Sequence, residues 1–165
     1  MRVKNLVIVL VLLLTACGYH LRGSVQGEAG GVGKLYLDNA SNELIDQMNK
    51  SLKAGGSALV GSPSQADTTI QIIDEYLQRR ALSTSARGKA NEFELVYRVK
   101  FELFGSGRKS LGSQEPIEIR RTYFNDQLDI IAKDTEEILI RTEMYQQAVR
   151  TFLDRIRLMR RDLAK

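Results

Sequence analysis

One thiol and one imidazole stand out for chemistry in this chain, because Cys17 and His20 are the sole residues of their types. Cys17 closes the tetrad Leu14-Thr15-Ala16-Cys17. A small residue directly before a cysteine, with leucine three positions before it, has the form of a lipobox. The small side chain admits the peptidase at the cut, and the thiol takes the lipid. With a single cysteine, no intramolecular disulfide competes for it. His20 has no Ser, Cys or carboxylate partner placed for a triad, and no His or Cys pair has zinc-ligand spacing. The carboxylates fall on alternating strand positions or helix surfaces, where solvation is their ordinary role. The chain is therefore read as a non-enzyme. It is expected to have no metal and no cofactor beyond the S-diacylglycerol and N-acyl lipid on Cys17.

The other residues able to hold a ligand are cationic. Arg79, Arg80, Arg87 and Lys89 lie in or beside one turn, and Arg120, Arg121 and Lys133 lie between an extended segment and the last helix. Arginine meets a phosphate with a bidentate fork and lysine meets it as a point charge. The same residues would equally serve as a solvated basic edge that resists strand-to-strand aggregation. A second group, Arg150, Arg155, Arg157, Arg160 and Arg161, closes the last helix and complements its C-terminal dipole.

Composition sets the frame for these residues. Ahead of the lipobox stand Arg2 and Lys4, then the apolar run Leu6-Val7-Ile8-Val9-Leu10-Val11-Leu12-Leu13-Leu14. That run suits a signal-peptide core and falls well short of the roughly 20 residues that span a bilayer. Residues 1–16 are read as the leader, 17–33 as a lipidated cysteine with a tether containing Gly27, Gly30, Gly31 and Gly33, and 34–165 as one domain. Loss of Arg2 and Lys4 halves the formal charge of +4. Bulk charge thus selects no partner, and nucleic acid is not expected. Gly18 stands where Asp often signals inner-membrane retention, which points to the outer membrane, periplasmic side.

The elements that must position the cations follow from periodicity. Lys34-Leu35-Tyr36-Leu37-Asp38 reads as a strand, and Asn39-Ala40-Ser41 offers caps for a helix carrying Leu44, Ile45, Met48 and Leu52. Residues 68–83 read as a long strand with an unsettled register around Ile73. The clearest alternation sets Phe93, Leu95, Tyr97, Val99, Phe101 and Leu103 against Glu94, Val96, Arg98, Lys100 and Glu102, giving a strand with one wet face. Ile117, Ile119 and Tyr123 mark a fourth strand. Asp134, with Glu137 three residues on, predicts a capping box for a helix over 134–163, with Ile138, Tyr145, Val149, Phe152, Ile156, Met159 and Leu163 inward. The expected fold is α+β, β-α-β-β-β-α, with two helices on one face of a four-stranded, mostly antiparallel sheet.

The segment Cys17-Gly18-Tyr19-His20-Leu21-Arg22-Gly23 resembles the mature start of the lipopolysaccharide-assembly lipoproteins, the LptE family. So do Ala132-Lys133-Asp134-Thr135-Glu136 and the later Glu143-Met144-Tyr145 with Ala148. The resemblance implies an outer-membrane lipoprotein that binds lipopolysaccharide. It also implies a plug and assembly factor inside a large β-barrel partner of the LptD type. The lipopolysaccharide contacts it implies are Arg87 and Lys133, with Lys89 and Arg120 beside them. A domain of this size has a radius of gyration of roughly 15 Å, which calls for a host barrel of about 22 strands or more. Without the resemblance, a lipoprotein scaffolding an efflux or secretion complex fits the same anchor and fold.

The lipobox makes a direct prediction. Cys17→Ala should leave the leader attached and the chain unacylated, as read by mass spectrometry of the N-terminus. A wild-type mature chain that begins elsewhere and carries no lipid would remove the assignment.

Overall fold

The alternation across residues 93–103 becomes the middle of the sheet. The computed structural model describes residues 32–125 and 130–163; the leader, Cys17, His20 and most of the tether lie outside the described residues. Strand β4 (Ala90–Gly105) pairs antiparallel with β3 (Thr68–Thr84) on one side and with β5 (Glu115–Phe124) on the other. Beyond β3 lies β1 (Lys34–Asp38), parallel to it from Leu35 opposite Thr68 to Asp38 opposite Gln71. Ala58–Leu59 then adds β2, parallel to β1 at the edge. The order is β2-β1-β3-β4-β5, so the sheet has five strands where periodicity gave four. Two residues are too short to show a period. They pair because α1 (Asn42–Ala54) returns the chain beside β1, where Val60 N–H donates to the Leu35 carbonyl at 2.8 Å.

Both helices cover one face of this sheet. The expected α+β class and the two-on-one layering hold. From β4, Leu95, Tyr97, Val99, Phe101 and Leu103 are buried against Leu44, Met48 and Leu52 of α1 and Met144, Val149, Phe152 and Ile156 of α2 (Ile130–Leu163). Phe101 meets Phe152 edge-on at 4.7 Å, and Tyr97 meets Tyr145 at 4.7 Å with a 60° tilt. Such ring pairs add about 0.5–1.5 kcal/mol beyond the area they bury.

One carboxylate ties α1 to the sheet. Ser41 caps the helix by accepting from Leu44 N–H, and its own N–H and Oγ donate to Glu75 at 2.9 and 2.6 Å. The Tyr97 hydroxyl donates to the same carboxylate at 2.9 Å. Burial, reinforced by the Glu75 charge, pushes the Tyr97 phenol well above its ordinary range. Glu75 reaches this position because β3 is bulged between Ile72 and Asp74. The bulge turns Ile73 outward and reverses the alternation, so Ile70 and Ile72 face the helices before it and Glu75, Leu77 and Arg79 after it. That reversal is what left the register unsettled in the sequence.

The last helix departs from its expected start. It begins at Ile130, so Asp134 lies inside it and is no N-cap. Its 34 residues extend about 51 Å at 1.5 Å per residue. Ile138, expected inward, is 64% exposed, and the buried stripe begins at Met144. The first turns instead sit over polar groups, Arg79 and Tyr123, that Glu137 engages.

Candidate functional site

The hairpin of β3 and β4 sets the geometry of the cationic residues. Seventeen residues of β3 at about 3.3 Å each make a ribbon of roughly 55 Å. Because β1 runs parallel to β3 and begins beside Thr68, the chain enters the domain at one end of this ribbon. The β3–β4 turn lies at the other. The end of β5 returns to the turn: Asn125 N–H donates to the Asn91 carbonyl at 2.7 Å and its amide to the Ala90 carbonyl at 2.8 Å. The two cationic segments therefore share one end of the sheet, opposite the end where β1 begins.

The turn itself is built to hold Arg87 outward. Ser85 N–H donates to the Lys89 carbonyl at 2.7 Å, Gly88 N–H to the Ser85 carbonyl at 2.9 Å, and Lys89 N–H to Ser85 Oγ at 3.2 Å. Gly88 takes φ +75°, a conformation that glycine adopts without the Cβ clash. Arg87 and Lys89 are exposed and form no ion pair or side-chain hydrogen bond among the described residues.

The remaining cations divide differently. Arg120 does not join the tip. It lies on the helix-free face, donates to Glu118 at 2.5 Å and stands 3.7 Å from Glu94. Its guanidinium holds the Glu118 carboxyl below the usual carboxylate range. Arg80 donates to Glu94 at 2.5 Å and Arg98 stands 3.3 Å from Glu118, so that face is a ladder of paired charges. Glu94 is buried beneath two arginines, which its polar position in the alternation gave no reason to expect. Arg121 turns to the helix side and donates to Gln147. Lys133 sits in the first turn of α2, in the element that begins just beyond the end of β5; its side chain lies outside the described residues.

Between tip and core lies a cluster that residue spacing did not reveal. Glu137 accepts from Arg79 at 3.0 Å, from Arg141 at 2.9 and 2.5 Å, and from the Tyr123 hydroxyl. Arg79 also lies over the Phe93 ring at 4.6 Å. The cluster ties the first turns of α2 to β3 and β5 and so fixes the base on which the tip stands.

The family model described as LptE, lipopolysaccharide-assembly, matches residues 33–156, the sheet and both helices. The chain belongs to the LptE family. Among its relatives, the LPS-assembly lipoprotein LptE of Photorhabdus laumondii is 29% identical over 90% of this chain and 82% of that protein. That of Pectobacterium atrosepticum is 26% identical over 94% of this chain and 85% of its own length. Among solved structures, the rare lipoprotein B of Shewanella oneidensis is similar with a TM-score of 0.65 and 27% identity, covering 81% of this chain and all of that one. A lipoprotein B from Nitrosomonas europaea gives 0.64 and 25%, over 82% of this chain and 88% of that one. The LptE core in this chain thus carries a hairpin whose end exposes two cations that are unpaired among the described residues.

The Glu137 cluster predicts a pH dependence. Burial would raise the Glu137 pKa, but the hydrogen bonds from Tyr123, Arg141 and Arg79 outweigh it and hold the pKa below its ordinary value. The group therefore stabilises the fold at neutral pH, and that stability fades as pH falls from about 4.5, the unfolded-state range, through the lower folded value. Glu137→Gln should unfold at lower temperature than wild type at pH 7, and the difference should narrow as the pH falls below 4.5. Melting curves that stay equally separated from pH 7 to 3 would contradict the cluster's role.

Proposed function

We propose that this chain is an outer-membrane lipoprotein that binds lipopolysaccharide through the far end of its hairpin. On this reading it serves as plug and assembly factor of a large, lipopolysaccharide-translocating β-barrel of the LptD type. The observation that carries the reading is the pair Arg87 and Lys89, exposed and unpaired among the described residues, at the end of the sheet opposite the start of β1. Every other arginine of β3 and β5 is engaged by a glutamate or a glutamine. Cations without partners at a preformed turn offer phosphate a site with no ion pair to break first. Lys133, on the first turn of α2, is the third cation of this reading.

Two further features support this ligand and this enclosure. Leu82 and Phe124, the latter 70% exposed, lie near the turn and give an amphiphile apolar surface beside the cations. The helix-free face carries the ladder Arg80–Glu94–Arg120–Glu118–Arg98, a polar surface that suits the polar interior of a large barrel. No helix among the described residues is long and apolar enough to cross a membrane, and the anchor of this reading is lipid on Cys17. Two acyl chains already hold a protein stably at a membrane. The role is binding and assembly, without catalysis.

The test is a charge reversal. Arg87→Glu with Lys133→Glu should weaken lipopolysaccharide binding by at least tenfold while the melting temperature changes little, because an exposed charge such as Arg87 contributes roughly 0–1 kcal/mol to folding. The loss should be largest at low ionic strength, where screening is weakest. Unchanged affinity in a folded double variant would reject the tip as the binding site.

A further inference from the structure

At the end of the sheet where the chain enters, the helix-free face hollows into a cleft of about 350 Å³. That volume lies in the range of small-ligand sites. Cross-strand register aligns Tyr36 of β1, Thr69 of β3 and Phe104 of β4 in one row, with Asp38, Gln71 and Glu102 in the next. Strands lie about 4.8 Å apart, so the two aromatic side chains stand roughly 10 Å apart with Thr69 between them. Arg108 closes the rim. It holds φ +60°, a left-handed conformation uncommon outside glycine and costly enough to need support from its surroundings. The loop that carries it is pinned by Gly105 N–H to the Lys109 carbonyl at 2.8 Å and by Ser110 Oγ to Glu102 at 2.9 Å.

The polar groups of this cleft differ from those on the rest of the face. Further along, arginines and glutamates satisfy one another. Here the Asp38 carboxylate, the Gln71 amide, the Arg108 guanidinium and the Tyr36 hydroxyl have no side-chain hydrogen bond or ion pair among the described residues. An acyl chain in the cleft would desolvate these groups without giving them partners, which is costly. A phosphate would meet Asp38 as well as Arg108, so attraction and repulsion would oppose each other. A sugar ring fits both halves of the site. Its C–H face lies against aromatic rings, and its hydroxyls donate to a carboxylate and exchange hydrogen bonds with an amide and a guanidinium.

We infer that this cleft is a saccharide-binding subsite, separate from the cationic tip, that takes a ring of the oligosaccharide portion of a glycolipid. The identification of that glycolipid as lipopolysaccharide rests on the proposed function. The two sites lie at opposite ends of the ribbon. They would therefore engage two molecules, or one molecule in succession, rather than two parts of one headgroup.

The experiment uses the lipidated protein in mild detergent and, as probe, the core oligosaccharide released from lipopolysaccharide by mild acid. Saturation-transfer NMR should show transfer to the sugar protons with wild type. Phe104→Leu and Tyr36→Leu should abolish it, and Asp38→Asn, a near-isosteric change, should weaken oligosaccharide affinity about tenfold with the fold intact. Amide spectra of each variant check folding; if a leucine variant misfolds, Asp38→Asn decides. No transfer to the oligosaccharide from a wild-type protein that still binds intact lipopolysaccharide overturns the cleft and leaves the proposed function standing. Equal transfer in the folded variants also overturns it. Failure of wild type to bind intact lipopolysaccharide removes the proposed function itself, while oligosaccharide transfer lost in the cleft variants would still uphold a saccharide site.

Discussion

Strand β4 is hydrogen-bonded on both sides for most of its length, and the rest of the domain takes its position from that constraint. A strand paired on both edges cannot slip by one residue without sending every core side chain to the wrong face. The row from Leu95 to Leu103 must be dry, so both helices have to lie on that side. The opposite row must then be polar. It carries Arg98 and Lys100 outward and buries Glu94 only beneath two arginines. Once this division is made, the hairpin can outgrow the helices that cover it. Its distal rungs are held by backbone pairing to β5 and by the Glu137 cluster rather than by an apolar core.

Two polar fastenings make the arrangement specific. Glu75 gathers the Ser41 cap and the Tyr97 hydroxyl at the middle of β3, and Glu137 gathers Arg79, Arg141 and Tyr123 nearer the tip. Each carboxylate joins a helix to the sheet through groups whose partners would otherwise be lost. Losing one such buried partner costs about 1–3 kcal/mol, more than a surface ion pair contributes. Between them they set where the helical cover stops and where the exposed hairpin begins. The cations at its end, Arg87 and Lys89, are exposed and form no ion pair among the described residues.

Much of this was legible in the chain itself. The alternation of 93–103 announced the central strand, Ser41 was among the caps offered, and Arg87 and Lys89 were placed at a turn. What was hidden had physical reasons. Strand β2 is two residues long and pairs only because α1 delivers it. The bulge at Ile73 reverses a period that sequence reads as continuous. Glu137 looked like half of a capping box, but the helix begins at Ile130, which frees it for Arg79 and Tyr123. Arg120 and Arg121 are neighbours in sequence yet point to opposite faces, so one basic segment is shared between two surfaces. The cleft of Tyr36 and Phe104 joins residues 68 positions apart and appears only when register aligns them.

On the proposed function, lipopolysaccharide is met at the exposed end of the hairpin. Site-specific photocrosslinking in cells tests it most directly, with a crosslinking residue at position 87 and, as comparison, at position 53 on the exposed surface of α1. The expected result is a lipopolysaccharide adduct at 87 and none at 53. Equal adducts at both positions, or an adduct at 53 alone, would contradict it.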